Sequence, residues 1–224
     1  IQTETLSFDP DALALKYRQE RDKRVRVDGN DQYQEVVGEF AYFVEDPYIQ
    51  DALQREPMLD EVEVVIIGGG FGGLLAAARL REAGIHDFRI IEKGGDFGGT
   101  WYWNRYPGAS CDIESYVYFP LLEKTQFVPK QKYTNAPETL EYCREIAAHY
   151  ALYENAMLQT EVRATDWDED LGRWIVSTNR QDAIKARFVV HSNGPLNRPK
   201  LPAIKGINEF KGHTFHTSRW DYHY

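Results

Sequence analysis

Val62 to Gly73 reads VEVVIIGGGFGG and runs on as LLAAARLREAG from Leu74 to Gly84. An apolar run, a glycine cluster and a helix-forming stretch, in that order, predict a buried strand, a tight turn and a helix. Gly68, Gly70 and Gly73 have the G-x-G-x-x-G spacing. In that pattern the first glycine turns the chain, the second lets backbone approach a pyrophosphate, and the third packs helix on strand. The helix N-terminus then faces the anion with its unpaired amides. The spacing alone also occurs in ordinary loops; the strand of Val62 to Ile67 before it and the helix of Leu74 to Glu82 after it make this one a dinucleotide site.

A second apolar run, Phe88 to Ile91, ends in Glu92. It stands about 20 residues on, where an acid accepts hydrogen bonds from ribose hydroxyls. A carboxylate there repels a 2′-phosphate, so the site is predicted to hold FAD or NAD, and the neighbouring Lys93 is read as a solvated residue. The following segment favours a flavin. Trp101, Tyr102, Trp103 and Tyr106 crowd around Gly98, Gly99 and Pro107, offering rigid surface to a flat ring system while glycine permits close backbone approach. Asp112, beside Cys111, closes this run. If the aromatics enclose it, its neighbourhood is dry, and a buried carboxylate needs a cationic partner or a functional proton.

With GGGFGG, Glu92, GGTWYWNRYPGASCDIES and finally FKGHTFHTSRWD, the chain resembles the type I Baeyer-Villiger monooxygenases from about Glu63 to Tyr224. Phe210, Gly212, His216, Trp220 and Asp221 match every fixed position of that family's F-x-G-x-x-x-H-x-x-x-W-[PD] fingerprint. The N-terminal SFDPDALALKYRQERDKR is similar to the branch that accepts large or polycyclic ketones. The resemblance implies an FAD- and NADPH-dependent enzyme that inserts one oxygen atom of O2 next to a ketone carbonyl, giving an ester or lactone. It further implies cofactor contacts from Gly68, Gly70, Phe71, Gly73, Glu92, Gly99, Thr100, Trp101, Asp112, Tyr118 and Val162. Asp112 would orient an arginine beside the flavin, and His216 would act by hydrogen bonding as FAD and NADP domains move. The family's arginine, its second G-x-G-x-x-G domain for NADPH and its helical domain have no counterpart in these 224 residues. The implied reading is an N-terminal piece of a longer enzyme, completed by the rest of the same chain or by a second one. Two alternatives stay open: a related flavin N- or S-hydroxylating monooxygenase, and a noncatalytic FAD-binding subunit.

The predicted fold class is α/β: an incomplete Rossmann-like FAD-binding domain whose parallel sheet carries an antiparallel β-meander, preceded by a helical extension. Residues 1–60 are assigned to an extension wrapping the main domain, 61–208 to the FAD-binding domain, and 209–224 to a fingerprint linker towards the NADPH domain. Asp9 and Pro10 predict a helix start, with the helix continuing to about Arg24. Asn135 and Glu138 start another, in which Leu140, Cys143, Ile146, Ala147 and Tyr150 recur at helical spacing. Leu158 to Val162 is read as a strand, and Ala164 to Asp168, Trp174 to Thr178 and Ala183 to Val190 as the meander.

Composition excludes other classes. A content of 42% hydrophobic residues over 224 is enough for a core. A net charge of -9 argues against nucleic acid as a partner. Two cysteines favour a reducing, cytoplasmic setting over a disulfide framework. No apolar run has the length of a membrane span, and Ile1 opens no signal peptide. The closing WDYHY predicts an exposed aromatic tail that another surface should cover.

Overall fold

A computed structural model describes residues 7–224. By internal contacts it divides into two units, one formed by residues up to Glu35 with Lys200–Gly212, the other by Val36–Pro199 with His213–Tyr224. Residues 36–60 of the assigned extension thus group by contacts with the larger unit. Residues 46–58 belong to the larger unit because their side chains and amides bond into it: Tyr102 donates to Asp46 (2.7 Å), and Arg55 pairs with Asp182 (2.6 Å).

In the smaller unit, helix α1 (Pro10–Asp22) begins where Asp9 accepts from the amides of Asp11 and Ala12. None of its residues is buried. Strand β1 (Tyr33–Gln34) pairs antiparallel with Leu201–Pro202, the last strand of the chain.

The larger unit is built on one mixed sheet. Its centre is β2 (Leu59–Ile67), hydrogen-bonded in parallel to β3 (Phe88–Ile91) on one side and to Ala183–His191 on the other. The second half of β2, residues 64–67, is flanked by strands and packed on both faces, and it reads as a continuous apolar run. Helix α2 (Phe71–Glu82) follows it. Three short helices, α3 (Thr100–Trp103), α4 (Ser115–Tyr118) and α5 (Leu122–Thr125), then lead to α6 (Ala136–His149), whose first turn is capped by Asn135. Val64, Ile66, Phe88 and Ile90 bury against Leu74, Ala77 and Ala78 of α2 and Tyr142, Cys143 and Ile146 of α6. Val65, Ile91, Met157, Val176 and Ile184 form a second, smaller core.

The predicted meander is present as β5 (Val162–Asp168), β6 (Arg173–Thr178) and β7 (Ala183–His191), antiparallel in succession, β7 being the strand that also flanks β2. The strand expected over Leu158–Val162 is not formed. The edge strand is β4 (Ala156–Met157), parallel to β3, after which Gln159 takes a positive φ of 50° and ends the pairing. The following residues curl back over the end of β3, where the amides of Gln159 and Thr160 donate to the carbonyls of Gly94 and Glu92. Val162 accordingly opens β5. Cys111 and Cys143 are both buried and unpaired.

Candidate functional site

The ends of β2, β3, β5 and β7 surround a cavity of about 530 Å³. Its floor is two glycine loops pressed together. Gly68 has φ +107°, and a Cβ there would stand 2.7 Å from the Ser192 carbonyl oxygen. A Cβ on Gly73 would stand 1.9 Å from the Gly68 carbonyl oxygen, so only glycine lets α2 approach β2 this closely. Gly98 donates its amide to the Gly69 carbonyl (2.9 Å). Gly99, at φ +52°, lies so close to Gly70 that an added Cβ would meet the Gly70 Cα at 2.7 Å. No side chain caps α2. Its first amides therefore remain donors at the cavity, with the positive end of the helix dipole behind them.

Glu92 is buried, with 6% of its surface exposed, and it lines the cavity. Its carboxylate accepts from the Gly69 amide (2.6 Å) and the Gly94 amide (2.7 Å), so it joins the two glycine loops. Burial pushes its pKa up, opposed by those two amides. An aromatic corner of Phe71, Trp101 and Tyr118 also lines the cavity. Trp101 Nε1 donates to the Tyr118 hydroxyl (3.0 Å), and Phe71 packs edge-on to Tyr118 with ring centroids 5.4 Å apart. Burial raises the Tyr118 pKa.

Of the residues predicted for the cofactor, Gly68, Gly70, Phe71, Glu92, Gly99, Thr100, Trp101, Tyr118 and Val162 line the cavity. Gly73 sits beneath it as packing. Asp112 does not join them. It is exposed, while Cys111 before it turns into the core with its amide bonded to the Thr134 carbonyl. The expected dry neighbourhood is absent because the chain bends outward here, leaving Asp112, Ile113 and Glu114 exposed in succession between buried Cys111 and Ser115. Lys93, read as solvated, is half-buried against Trp103 and lines the cavity.

Ser192, Asn193, Asn197, Thr160 and Arg163 also line the cavity, and sequence reasoning missed them. The available signal was Gly194 just after the apolar end of β7, a second place where a parallel strand stops beside the β2 turn.

None of the fingerprint residues lines the cavity. Phe210 and Gly212 belong to the smaller unit, and His216, Trp220 and Asp221 to the larger. His216 Nδ1 accepts from the Ser218 amide (3.1 Å), and burial followed by the charge of Arg219 lowers its pKa. Asp221 pairs with His213 (2.9 Å). Trp220, expected to be exposed, is half-buried edge-on to Phe215, at 4.9 Å between centroids. Tyr222 and Tyr224 are exposed. Among the described residues no helix is long and apolar enough to cross a membrane.

A dinucleotide turn, a buried strand-end acid and an aromatic corner on one parallel sheet define a nucleotide-dependent oxidoreductase fold. The sequence profile of the pyridine nucleotide-disulphide oxidoreductases matches residues 65–224, and the chain belongs to that family. Within it, the chain is 50% identical over 218 residues to a Baeyer-Villiger monooxygenase of Streptomyces coelicolor, covering 96% of this chain and 36% of the relative. An FAD-binding monooxygenase of Hypomyces subiculosus is likewise 50% identical over 218 residues, with the same coverage of 96% and 36%. The polycyclic ketone monooxygenase of Thermothelomyces thermophila superposes with a TM-score of 0.83 at 36% identity, over 95% of this chain and 37% of that one. The resemblance read from the sequence holds, and the chain spans little more than a third of the length of the relatives it matches.

Proposed function

We propose that this chain forms the FAD-holding part of a flavin monooxygenase that inserts one oxygen atom of O2 beside a ketone carbonyl, with NADPH as electron donor and an ester or lactone as product. The observation that carries this reading is the meeting of both glycine loops, Glu92 and the Phe71–Trp101–Tyr118 corner on one cavity. The residues present fit FAD. Amides at the start of α2 suit a diphosphate, and Gly70 and Gly99 leave room for it. Glu92, with each oxygen bonded once by protein, keeps lone pairs for ribose hydroxyls. Val162 offers backbone at the adenine end, and Thr100 and Trp101 offer polar and flat surface towards the ring system.

A bound flavin supplies the electron-transfer and oxygen chemistry. The chain's own residues hold the diphosphate, orient the ring system against Trp101 and keep water from it. Asp112 is assigned to orienting an arginine from the remainder of the enzyme, which would cover its exposed face. His216 is assigned to hydrogen bonding in the fingerprint as the NADPH domain moves. Trp220 followed by Asp221 favours ketone oxygenation over N- or S-hydroxylation. Two free, buried cysteines support a cytoplasmic setting.

Denaturing the purified full-length protein should release noncovalent FAD, and paired assays with NADPH should yield a lactone from a cyclic ketone and no hydroxylamine from an amine. A colourless protein that cannot be reconstituted with FAD, or N-oxygenation alone, would overturn the reading.

A further inference from the structure

Trp103 forms part of the cavity wall and carries two cations. The Arg219 guanidinium lies 3.9 Å from its ring centroid and Lys93 Nζ lies 5.0 Å from it. Arg219 is buried, with 5% of its surface exposed. Burial pushes its pKa down to about 10. A buried charge ordinarily has a carboxylate partner, yet the donors of Arg219 go to neutral oxygens on three separated segments. Nε donates to the Glu45 carbonyl (2.8 Å), Nη1 to the Ser218 carbonyl (2.7 Å), and Nη2 to the Asn197 carbonyl (3.0 Å). Asn197 bounds the cavity. A planar fork with donors on both edges and a face that stacks can make all these contacts at once, and an ammonium cannot.

Arg219 stands between His216 and Trp220 at a position the fingerprint leaves open. A second tie runs in parallel, since the Tyr222 hydroxyl donates to the Arg105 carbonyl just past α3. We propose that Arg219 is a positioning residue that joins the fingerprint segment to the Trp103 wall and to the Asn197 loop. Rearrangement of residues 213–224 is thereby passed to the shape of the cavity. This rests on the FAD reading above for its catalytic consequence, though not for the coupling itself.

The test uses the full-length holoenzyme with R219M and R219K, the second keeping a cation over Trp103 while losing the fork. Hydrogen exchange is followed in peptides spanning 100–105 and 193–198, together with the visible circular dichroism of the flavin and the separate KM and kcat values for NADPH. R219M should speed exchange in both peptides, shift the flavin band and lower kcat/KM for NADPH on the order of tenfold at unchanged FAD content, with R219K intermediate. Exchange that changes only within 213–224, or a wild-type band and kinetics in R219M, would overturn the proposal by reducing Arg219 to an anchor of its own segment. If R219M does not fold, R219K decides by the same three readings. A wild-type protein without flavin would sink the functional reading, while the exchange result would still decide the coupling.

Discussion

The glycine floor of the cavity and its tryptophan wall are built by opposite means. At the floor the contacts are backbone on backbone: Gly68 on Ser192, Gly73 on Gly68, Gly99 on Gly70. At the wall they are between side chains, with Trp103 held by Lys93 from nearby in sequence and by Arg219 from the far end of the chain. At Gly68, Gly73 and Gly99 the floor tolerates no added atom, whereas the wall can be loosened in steps. A change at the floor should therefore act on folding or on cofactor entry outright, and a change at the wall should act by degree.

The largest effect that could break this contrast is expected from Gly73→Val. Its Cβ would stand 1.9 Å from the Gly68 carbonyl oxygen, and neither the strand nor the helix can give way. Loss of about 4 kcal/mol or more of stability is expected, at the far end of what overpacking costs, read from the denaturant midpoint. Gly70→Val separates entry from folding. Its Cβ would meet the Gly99 Cα at 3.3 Å and the Gly99 amide nitrogen at 3.9 Å, a crowding without overlap, so the fold should survive while FAD is lost, because the side chain takes the space of the pyrophosphate. A folded Gly73→Val protein of normal midpoint, or a Gly70→Val protein that holds FAD, would remove the distinction.

Arg55→Met sharpens the contrast from a third place. Arg55 bonds both oxygens of Asp182 at 2.6 Å, and the carboxylate side chain is fully buried. Breaking a buried pair leaves a charge without its partner, so about 3 kcal/mol of stability should be lost, with the flavin spectrum unchanged because neither residue lines the cavity. Burial opposes ionisation of Asp182, but bonds from Arg55, Thr178 and the Met58 amide outweigh it and hold its pKa at about 2. A carboxylate depressed in the folded state stabilises above its unfolded pKa, and that stability is lost as pH falls through the folded one. The wild-type midpoint should therefore fall between about pH 4 and pH 2, and the fall should be shallower in Arg55→Met. A mutant with an unchanged acid limb would show that Asp182 is held by Thr178 and the backbone alone.

How much of this was legible follows the same division. Val62 to Gly73 was legible because the apolar run, the glycine spacing and the helix-forming run stand together in one stretch, although Gly68 and Gly70 answer Ser192 and Gly99 far along the chain, and Glu92 followed from a fixed spacing. The meander was legible from alternation around Gly172. Lys93 was misread because its burial comes from Trp103 and from the Asn197 loop, which donate no local pattern. Leu158 to Val162 looked like a strand because Leu158, Thr160 and Val162 alternate with polar residues, and the left-handed turn at Gln159 carries no glycine to announce it. Arg55 and Arg219 were invisible as ties, since their partners lie more than a hundred residues away for one and across three segments for the other.

Asp112 gives the smallest expected effect on the chain itself and the sharpest test of what lies outside it. An exposed carboxylate without a buried partner contributes little to folding, so Asp112→Ala should move the unfolding midpoint by less than about 0.5 kcal/mol in stability. FAD content should also hold, because Asp112 does not line the cavity. If the residue orients an arginine supplied by the rest of the enzyme, the full-length variant should still oxidise NADPH while product formation falls about 10²-fold or more, the scale of a lost electrostatic stabiliser. Peroxide would appear in place of the ester, and oxygen consumed per product would rise. Normal coupling in that variant would make Asp112 a surface residue and return the search for the arginine's partner to the cavity, where Glu92 is the buried carboxylate.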